Sequence, residues 1–512
     1  MTAAVVGPPA GADAPTEGDG AEREAPRTAP GRRLTNAAMT TVLVGLLAFL
    51  IALRPAVDND LWFHLRTARW MLDHHAWVGA DPFTHTRPDV VRVQTDWLSQ
   101  LGYYGVWRWT GLAGVAIAVA GVATTAMVVL YRALPGSTRL RAGVVVLTAA
   151  TSSIFWSARP QMITFLGTAL TIALWLHWRR RPEQRFLWWL VPGFLVWVNA
   201  HGGVIYGVLI LFGVVGGEVV ALGLRRAPLP IPALRRLLAV TASCLAVLAV
   251  NPSGWRVYGL AFHQVAASTQ FVQEYQPPSL GDPTALPFFV MLAGTAVLLV
   301  WRWRDWNPVE LFLVAGGAAF AVQYTRSVPF FAVLAAPALA RNLSAVRSGG
   351  PATVTVTDRR RADPGLVVTV AVVAVFLVLT STARLAPEQT NTLVAAEFPV
   401  AAVAWLETEQ PAGELFNTFE WGGYVMWEAP DYRVSVDGRT DVYDEYLDVY
   451  DDTIRARAGW QGELDREGIG TVLVDPGLPL TAALRADASW RVAYEDPVAV
   501  AFTRIGPVPE PG

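Results

Sequence analysis

Lysine is missing altogether from these 512 residues, only one cysteine occurs, and charged side chains make up no more than 16%. Without lysine no G-x-x-x-x-G-K-[ST] loop can cradle a nucleotide phosphate, and no other soluble nucleotide-sugar site is evident. Cys244 stands alone inside an apolar run, which excludes a disulfide framework and a thiolate metal cluster. The scarcity of charge excludes a water-soluble chain of this length. At 53% hydrophobic residues and a mean hydropathy of +0.35, the excess apolar surface must face lipid. A net charge of -2 hides an asymmetry, because from residue 385 onward 23 acidic residues stand against 8 arginines. Such a tail is no nucleic-acid binder.

What is present is a succession of apolar segments. Residues 1–35, rich in Ala, Pro, Gly and Glu and ending near Arg32 and Arg33, read as a disordered cytoplasmic tail. The apolar segment 36–53 lies too far in for an ordinary secretory signal and reads as an uncleaved anchor. Further segments begin near Gly111, Gly143, Gln161, Phe186, Gly203, Leu237, Leu286, Pro308, Ser327 and Leu366, giving about eleven spanning helices, several of them short or broken by Gly and Pro. Arginine placement tests this layout. With the N-terminus inside, the short inner loops hold 18 arginines and the outer segments up to Arg326 hold 9. The odd helix count then puts the C-terminus outside, on a multi-pass plasma-membrane protein.

In this orientation the polar clusters gather on the outer side. The first outer loop, 54–96, carries Asp58-Asn59-Asp60, Leu61-Trp62-Phe63-His64, Asp81-Pro82-Phe83 and Thr95-Asp96. Later outer ends carry Arg159-Pro160-Gln161, Asn199-Ala200-His201-Gly202, Gln273-Glu274-Tyr275-Gln276 and Gln323-Tyr324-Thr325-Arg326. Helical spacing of apolar residues predicts interfacial helices over 61–74 and 97–109. Asp58 and Asp60 then sit where a spanning helix ends and an interfacial one begins, with His64 one turn on from Asp60. Either carboxylate suits a general base; together with His64 and Glu274 they also suit a divalent cation, magnesium or manganese, that would neutralise a phosphate leaving group. The same aspartates equally suit the N-cap of the interfacial helix.

Beyond residue 385 short β-branched and aromatic runs at 414–418, 432–436, 471–474, 490–494 and 498–503 alternate with helical stretches at 398–408, 441–457 and 478–486. They predict a small α/β domain of about five strands with a terminal hairpin and a core of its own. Trp421-Gly422-Gly423-Tyr424 and Asp437-Gly438-Arg439 fall at strand ends, where paired glycines allow close approach and flat rings suit a sugar. These residues form a candidate acceptor platform; Trp421 and Tyr424 would serve equally to dock the domain onto the membrane helices.

The acidic motif just outside the first helix, the two interfacial helices and the outer C-terminal domain together resemble the GT-C superfamily of polytopic glycosyltransferases. In more detail, Asp58-x-Asp60-x-Trp62-x-His64, Asp81-Pro82-Phe83, Arg159-Pro160-Gln161, Asn199-x-His201-Gly202 and Trp421-Gly422-Gly423-Tyr424 look like a largely uncharacterised bacterial group within it, over most of the chain from Asn36. The resemblance implies a polyprenyl-phosphate-linked sugar donor reaching the site from the outer leaflet, an envelope glycan, lipid or protein as acceptor, and transfer that usually inverts the anomeric carbon. A lipid phosphate there needs cations and donors, which Arg159, His201 and Arg326 provide, although arginines at this depth also snorkel and a histidine also bonds neighbouring helices. The Trp421 segment is similar in arrangement to the tryptophan-aspartate motif of oligosaccharyltransferases but lacks its aspartate, so sequon recognition does not carry over. Two other classes remain open: a transporter, for which no internal repeat or charged mid-membrane helix speaks clearly, and a non-catalytic envelope assembly or sensor protein, which leaves the acidic loop unexplained.

Overall fold

The computed structural model describes residues 34–260, 273–348, 360–443 and 446–510. The tail expected over 1–35 falls almost wholly outside them. The first helix, α1 (Asn36–Ala52), starts at Thr35, whose hydroxyl accepts from the Ala38 amide. Asp58 caps α2 (Asn59–His74), the amphipathic helix expected at the interface, and buries its Leu61, Trp62, Phe63 and Leu65. The long α3 (Trp97–Ala133) is two helices in one: Gly111, at φ 64°, breaks it where the interfacial and spanning stretches were expected to part. A side chain there would be strained, which is why glycine sits at the corner.

The remaining apolar segments form α4 (Thr138–Ser152), α5 (Gln161–Arg180), α6 (Leu190–Ala200), α7 (Val204–Gly223), α8 (Ile231–Val247), α9 (Leu286–Trp301), α10 (Pro308–Gln323), α11 (Val328–Ser348) and α12 (Pro364–Arg384). Among the described residues five segments are long and apolar enough to cross a membrane, and three shorter apolar helices accompany them. The chain is a multi-pass membrane protein. Burial ranks its helices: the apolar stretch of Thr325–Arg347 is 72% buried, that of Pro364–Arg384 only 11%. The first is central because Ala335, Ala336, Ala338 and Ala340 let neighbours approach closely. The second packs mainly on α1 and turns its valines and Phe376 outward, as a lipid-facing helix does.

After α12 come α13 (Pro387–Glu397) and α14 (Val400–Glu409), then a four-stranded sheet in the order β1-β2-β4-β3. Its strands are β1 (Glu414–Asn417), β2 (Ile469–Val474), β3 (Trp490–Glu495) and β4 (Val500–Arg504). β1 runs parallel to β2, and β3 and β4 form the expected hairpin. All six residues of β2 are buried, as a central strand covered on both faces requires. The domain has its own core around Phe416, Val436, Tyr443, Val472 and Phe502. The fifth expected strand does not form. Val434 instead makes single parallel bridges, to Leu415 on one side and to Thr84 of the first loop on the other. The Val434 segment thus lies beside β1, and the first loop pairs along its far side: Val434 N donates to Phe83 O at 2.9 Å, Thr84 Oγ1 to Val434 O at 2.8 Å and Thr86 Oγ1 to Ser435 O at 2.7 Å.

Candidate functional site

The site begins with the turn between α1 and α2. Asp58 caps α2, its Oδ1 accepting from Asp60 N at 3.0 Å, and the same carboxylate receives Arg159 Nε at 2.8 and 2.9 Å. Arg159 lies between α4 and α5, where Tyr103 of α3 donates to its carbonyl at 2.8 Å and so fixes the loop. Its Nη1 reaches Asp60 Oδ2 at 3.1 Å and Glu274 Oε1 at 2.8 Å. Three carboxylates from two distant parts of the chain therefore converge on one guanidinium. Asp58 is 10% exposed, Asp60 22% and Glu274 26%, so the last two face open space.

Burial pushes the Asp60 carboxyl up to about 7; Arg159 opposes the rise, and Asp58 and Glu274 add to it. The carboxylates in turn hold the Arg159 guanidinium above its ordinary range despite its burial. Arg159, expected to receive a donor phosphate, carries three carboxylates upon its guanidinium in this arrangement. The same contact bears on the metal. Both Asp58 oxygens, one Asp60 oxygen and one Glu274 oxygen lie on Arg159, and a divalent cation among these groups would sit against a fixed positive charge. His64 turns elsewhere: its Nδ1 faces Gln100 Nε2 at 3.2 Å and it lies 3.9 Å from Asp96. Among the described residues no group of three or more His, Cys, Asp or Glu is set to hold a metal ion, so as arranged these residues do not fit magnesium or manganese.

Two further outer clusters of the sequence meet beside the acids. Gln276 O accepts from Thr325 N at 3.0 Å and from Thr325 Oγ1 at 2.7 Å, which ties the Glu274 turn to the Arg326 turn. Arg326 stacks over the Tyr275 ring at 4.4 Å and, among the described residues, pairs with no carboxylate. His201 receives the Gly203 amide on Nδ1 at 3.1 Å and touches Thr164 Oγ1 at 2.7 Å, so its proton belongs on Nε2. Burial pushes it down to about 4; Asp96 opposes the fall, and Arg326 and Arg92 add to it, so the ring is neutral near pH 7.

The motifs of the C-terminal domain take a different part from the one expected. Trp421 is 5% exposed and donates Nε1 to Glu397 O at 3.1 Å; Tyr424 is 4% exposed, edge-on to Trp62 and stacked on Phe398. Neither ring offers a face to a sugar. Gly422 and Gly423 open the short helix α15 (Gly422–Glu428), which lies on α2 so closely that a Cβ on Gly423 would come 2.9 Å from Asn59 O. The acceptor platform is thus corrected to a docking surface, because the same flat, glycine-spaced chemistry serves both and burial decides between them. Asp437 and Arg439 are corrected likewise. Arg439 is wholly enclosed, bonding Asp437 through Nε at 2.8 Å and Nη2 at 2.6 Å and reaching Asp81 of the first loop, while Tyr443 donates to Asp437 at 2.6 Å. Although burial alone would raise the Asp437 carboxyl, Arg439 outweighs it and holds it low. The motifs Asp81-Pro82-Phe83 and Asp437-Gly438-Arg439 are two halves of one lock, with Arg439 over the Phe83 ring at 5.3 Å.

Gly438 was not singled out by itself, yet a Cβ there would run into Asp60 Oδ1. The domain therefore forms one wall of the acid site. Arg92 was also missed; it bonds Asp441 at 2.7 Å and Asp96 at 3.4 Å and clamps loop to domain a second time. Its position in an outer loop rich in aspartate was the available signal.

No protein-family model matches this chain, and a search of curated proteins finds no match. Solved structures do match. One is the oligosaccharyltransferase AglB from Archaeoglobus fulgidus in complex with an inhibitory peptide and a dolichol-phosphate, with TM-score 0.53 and 13% identity over 85% of this chain and 69% of that one. Another is ArnT from Cupriavidus metallidurans in the apo state, with TM-score 0.50 and 16% identity over 91% of this chain and 97% of that one. The likeness is one of fold: this protein has a polytopic helical membrane part with a small C-terminal α/β domain, as these structures match it over most of its length.

Proposed function

We propose that this protein is a membrane glycosyltransferase that moves a sugar from a polyprenyl-phosphate-linked donor to an envelope acceptor, with Asp60 as general base. The observation that carries the reading is the Asp60 carboxyl, partly open, held near neutral pH and fixed against Arg159 at the outer end of the first helix. A base works best when its pKa lies close to the working pH, and Asp58, committed to the α2 cap and to Arg159, is the less available of the pair. The GT-C fold and the dolichol-phosphate bound by AglB support the choice of donor class.

In the reaction the acceptor oxygen forms a bond to the anomeric carbon while the bond from that carbon to the phosphate oxygen breaks. Asp60 takes the acceptor's proton, and the phosphate leaves with the electron pair. Arg326, unneutralised, stabilises the phosphate charge, and His201 Nε2–H donates to it. Arg159 holds Asp58, Asp60 and Glu274 in register. A single displacement of this kind inverts the anomeric carbon.

In this reading residues 1–35 form a cytoplasmic tail, 36–384 the membrane part with its first loop at 54–96, and 385–512 the extracytoplasmic domain; the arginine bias supports that orientation. The test is sugar release from a panel of polyprenyl-phosphate sugars by wild type, Asp58→Asn and Asp60→Asn. Loss of transfer in well-folded Asp60→Asn is the expected result. A donor consumed equally by wild type and Asp60→Asn would sink the assignment.

A further inference from the structure

The first and last helices of the membrane part end side by side in a way the acid site does not explain. Arg384, at the end of α12, donates Nη1 to Leu53 O at 3.1 Å, and Arg54 follows directly on Leu53. Among the described residues neither arginine pairs with a carboxylate. Partial desolvation and the neighbouring Arg384 guanidinium both lower the Arg54 guanidinium, as expected of two like charges set close together, while both side chains stay exposed at the surface. They line a cavity of about 510 Å³, with Gln389 as a further donor and Leu53, Pro55 and Leu393 as apolar wall. A second cavity of about 320 Å³ shares Pro55 and Leu393 with the first and runs on to Asn59, the residue between Asp58 and Asp60. The outer flank is α12, the helix most exposed to lipid.

Unpaired guanidiniums beside apolar wall at a membrane boundary match one ligand chemistry, a phosphate carried on a lipid. Continuity with Asn59 selects which lipid. We propose that Arg54 and Arg384 form a lipid-phosphate site at a lateral mouth between the first and last membrane helices, where the polyprenyl phosphate carrier rests beside the acid site. The site is distinct from the Arg326 position at which sugar transfer releases its phosphate. The phosphate chemistry stands on the cavity itself; the identity of the lipid rests on the donor reading above.

The experiment is native mass spectrometry of the purified full chain in detergent with undecaprenyl monophosphate, with phosphatidylglycerol and inorganic phosphate as separate arms. Wild type should carry up to two carrier lipids and Arg54→Glu no more than one, because a glutamate there pairs with Arg384 and closes the site. Arg54→Gln should weaken the lateral site about tenfold or more, the loss of one charge-assisted partner. Among the described residues Arg54 makes no hydrogen bond or ion pair, and thermal unfolding of both variants should stay at or above wild type. Equal lipid occupancy in wild type and Arg54→Glu would overturn the site, and so would no occupancy in either. Phosphatidylglycerol retained as well as the carrier, and lost in Arg54→Glu, would overturn the carrier assignment, as would saturation by inorganic phosphate alone. One lipid in wild type and none in Arg54→Glu, with no donor turned over, keeps the lateral site and refutes the donor reading.

Discussion

Replacing Asp60 by asparagine should abolish sugar transfer and, above neutral pH, make the protein more stable. The carboxyl stands at about 7 against an ordinary 3.8, a gap worth roughly 4 kcal/mol. Its folded pKa is raised, so the folded state keeps a proton that the unfolded chain gives up. The stability this contributes is complete below about pH 4, shrinks by about 1.4 kcal/mol per pH unit, and is gone above about pH 7. Asparagine never ionises, so the variant retains at high pH what wild type has lost. Against this stands one lost contact, Arg159 Nη1 to Asp60 at 3.1 Å. Asp58 and Glu274 still hold the guanidinium, which limits that loss to about 1 kcal/mol. The net expectation is a gain of up to roughly 3 kcal/mol at about pH 8 that vanishes or reverses at about pH 4. Thermal unfolding in detergent, followed by tryptophan fluorescence at both pH values and paired with the donor assay, measures both effects. A variant that melts below wild type at about pH 8 would mean that Asp60 is a structural ion-pair partner, and the reasoning from its raised pKa would fail.

The other predictions are more local. Because the base must be unprotonated, kcat/KM should fall about tenfold per pH unit below about pH 7, read from a pH–rate profile of wild type; a flat profile down to about pH 5 would exclude Asp60 as the base. Asp58→Ala removes a helix cap and should cost about 0.5–2 kcal/mol, whereas Asp58→Asn keeps the cap; unfolding midpoints that fail to separate the two would refute the capping role. Arg439→Met leaves Asp81 and Asp437 enclosed without a cation, for a loss of about 3–5 kcal/mol seen as early unfolding and as protease cleavage between the membrane part and the domain. Gly438→Ala places a Cβ against Asp60 Oδ1 and should lower transfer about a hundredfold with little change in melting; full activity in that variant would show that the domain wall does not set the position of Asp60.

The elements of this fold were largely legible because apolar runs of bilayer length and a glycine at a corner are local signals. Gly111 parted the interfacial stretch from the spanning one in sequence and in structure alike. The acids of the site were legible one at a time, since aspartate next to the end of a helix stands out. Their meeting at Arg159 was not, because Asp58 and Arg159 are 101 residues apart and only packing sets that distance. Trp421 and Tyr424 mark the other limit. An aromatic pair around two glycines fits a sugar or a protein surface equally, and only the positions of Trp62 and Phe398 decide. The run around Val434 reads as a strand from its composition, yet its hydrogen bonds are shared between Asn417 of β1 and Phe83, Thr84 and Thr86 of the first loop, partners that a local pattern cannot reveal.

That edge has a consequence for how the protein is made. Thr84 and Val434 are 350 residues apart, so on a ribosome the first loop emerges long before the segment that completes it, and nearly every membrane helix is inserted in between. Non-local pairings of this kind form late. Gly438, which walls in Asp60, arrives with the same segment, and the acid group stays open on one side until that segment is made. A half-made chain therefore carries its carboxylates without the wall that aligns them, and the acid group is complete only once the segment around Val434 and Gly438 has reached the first loop.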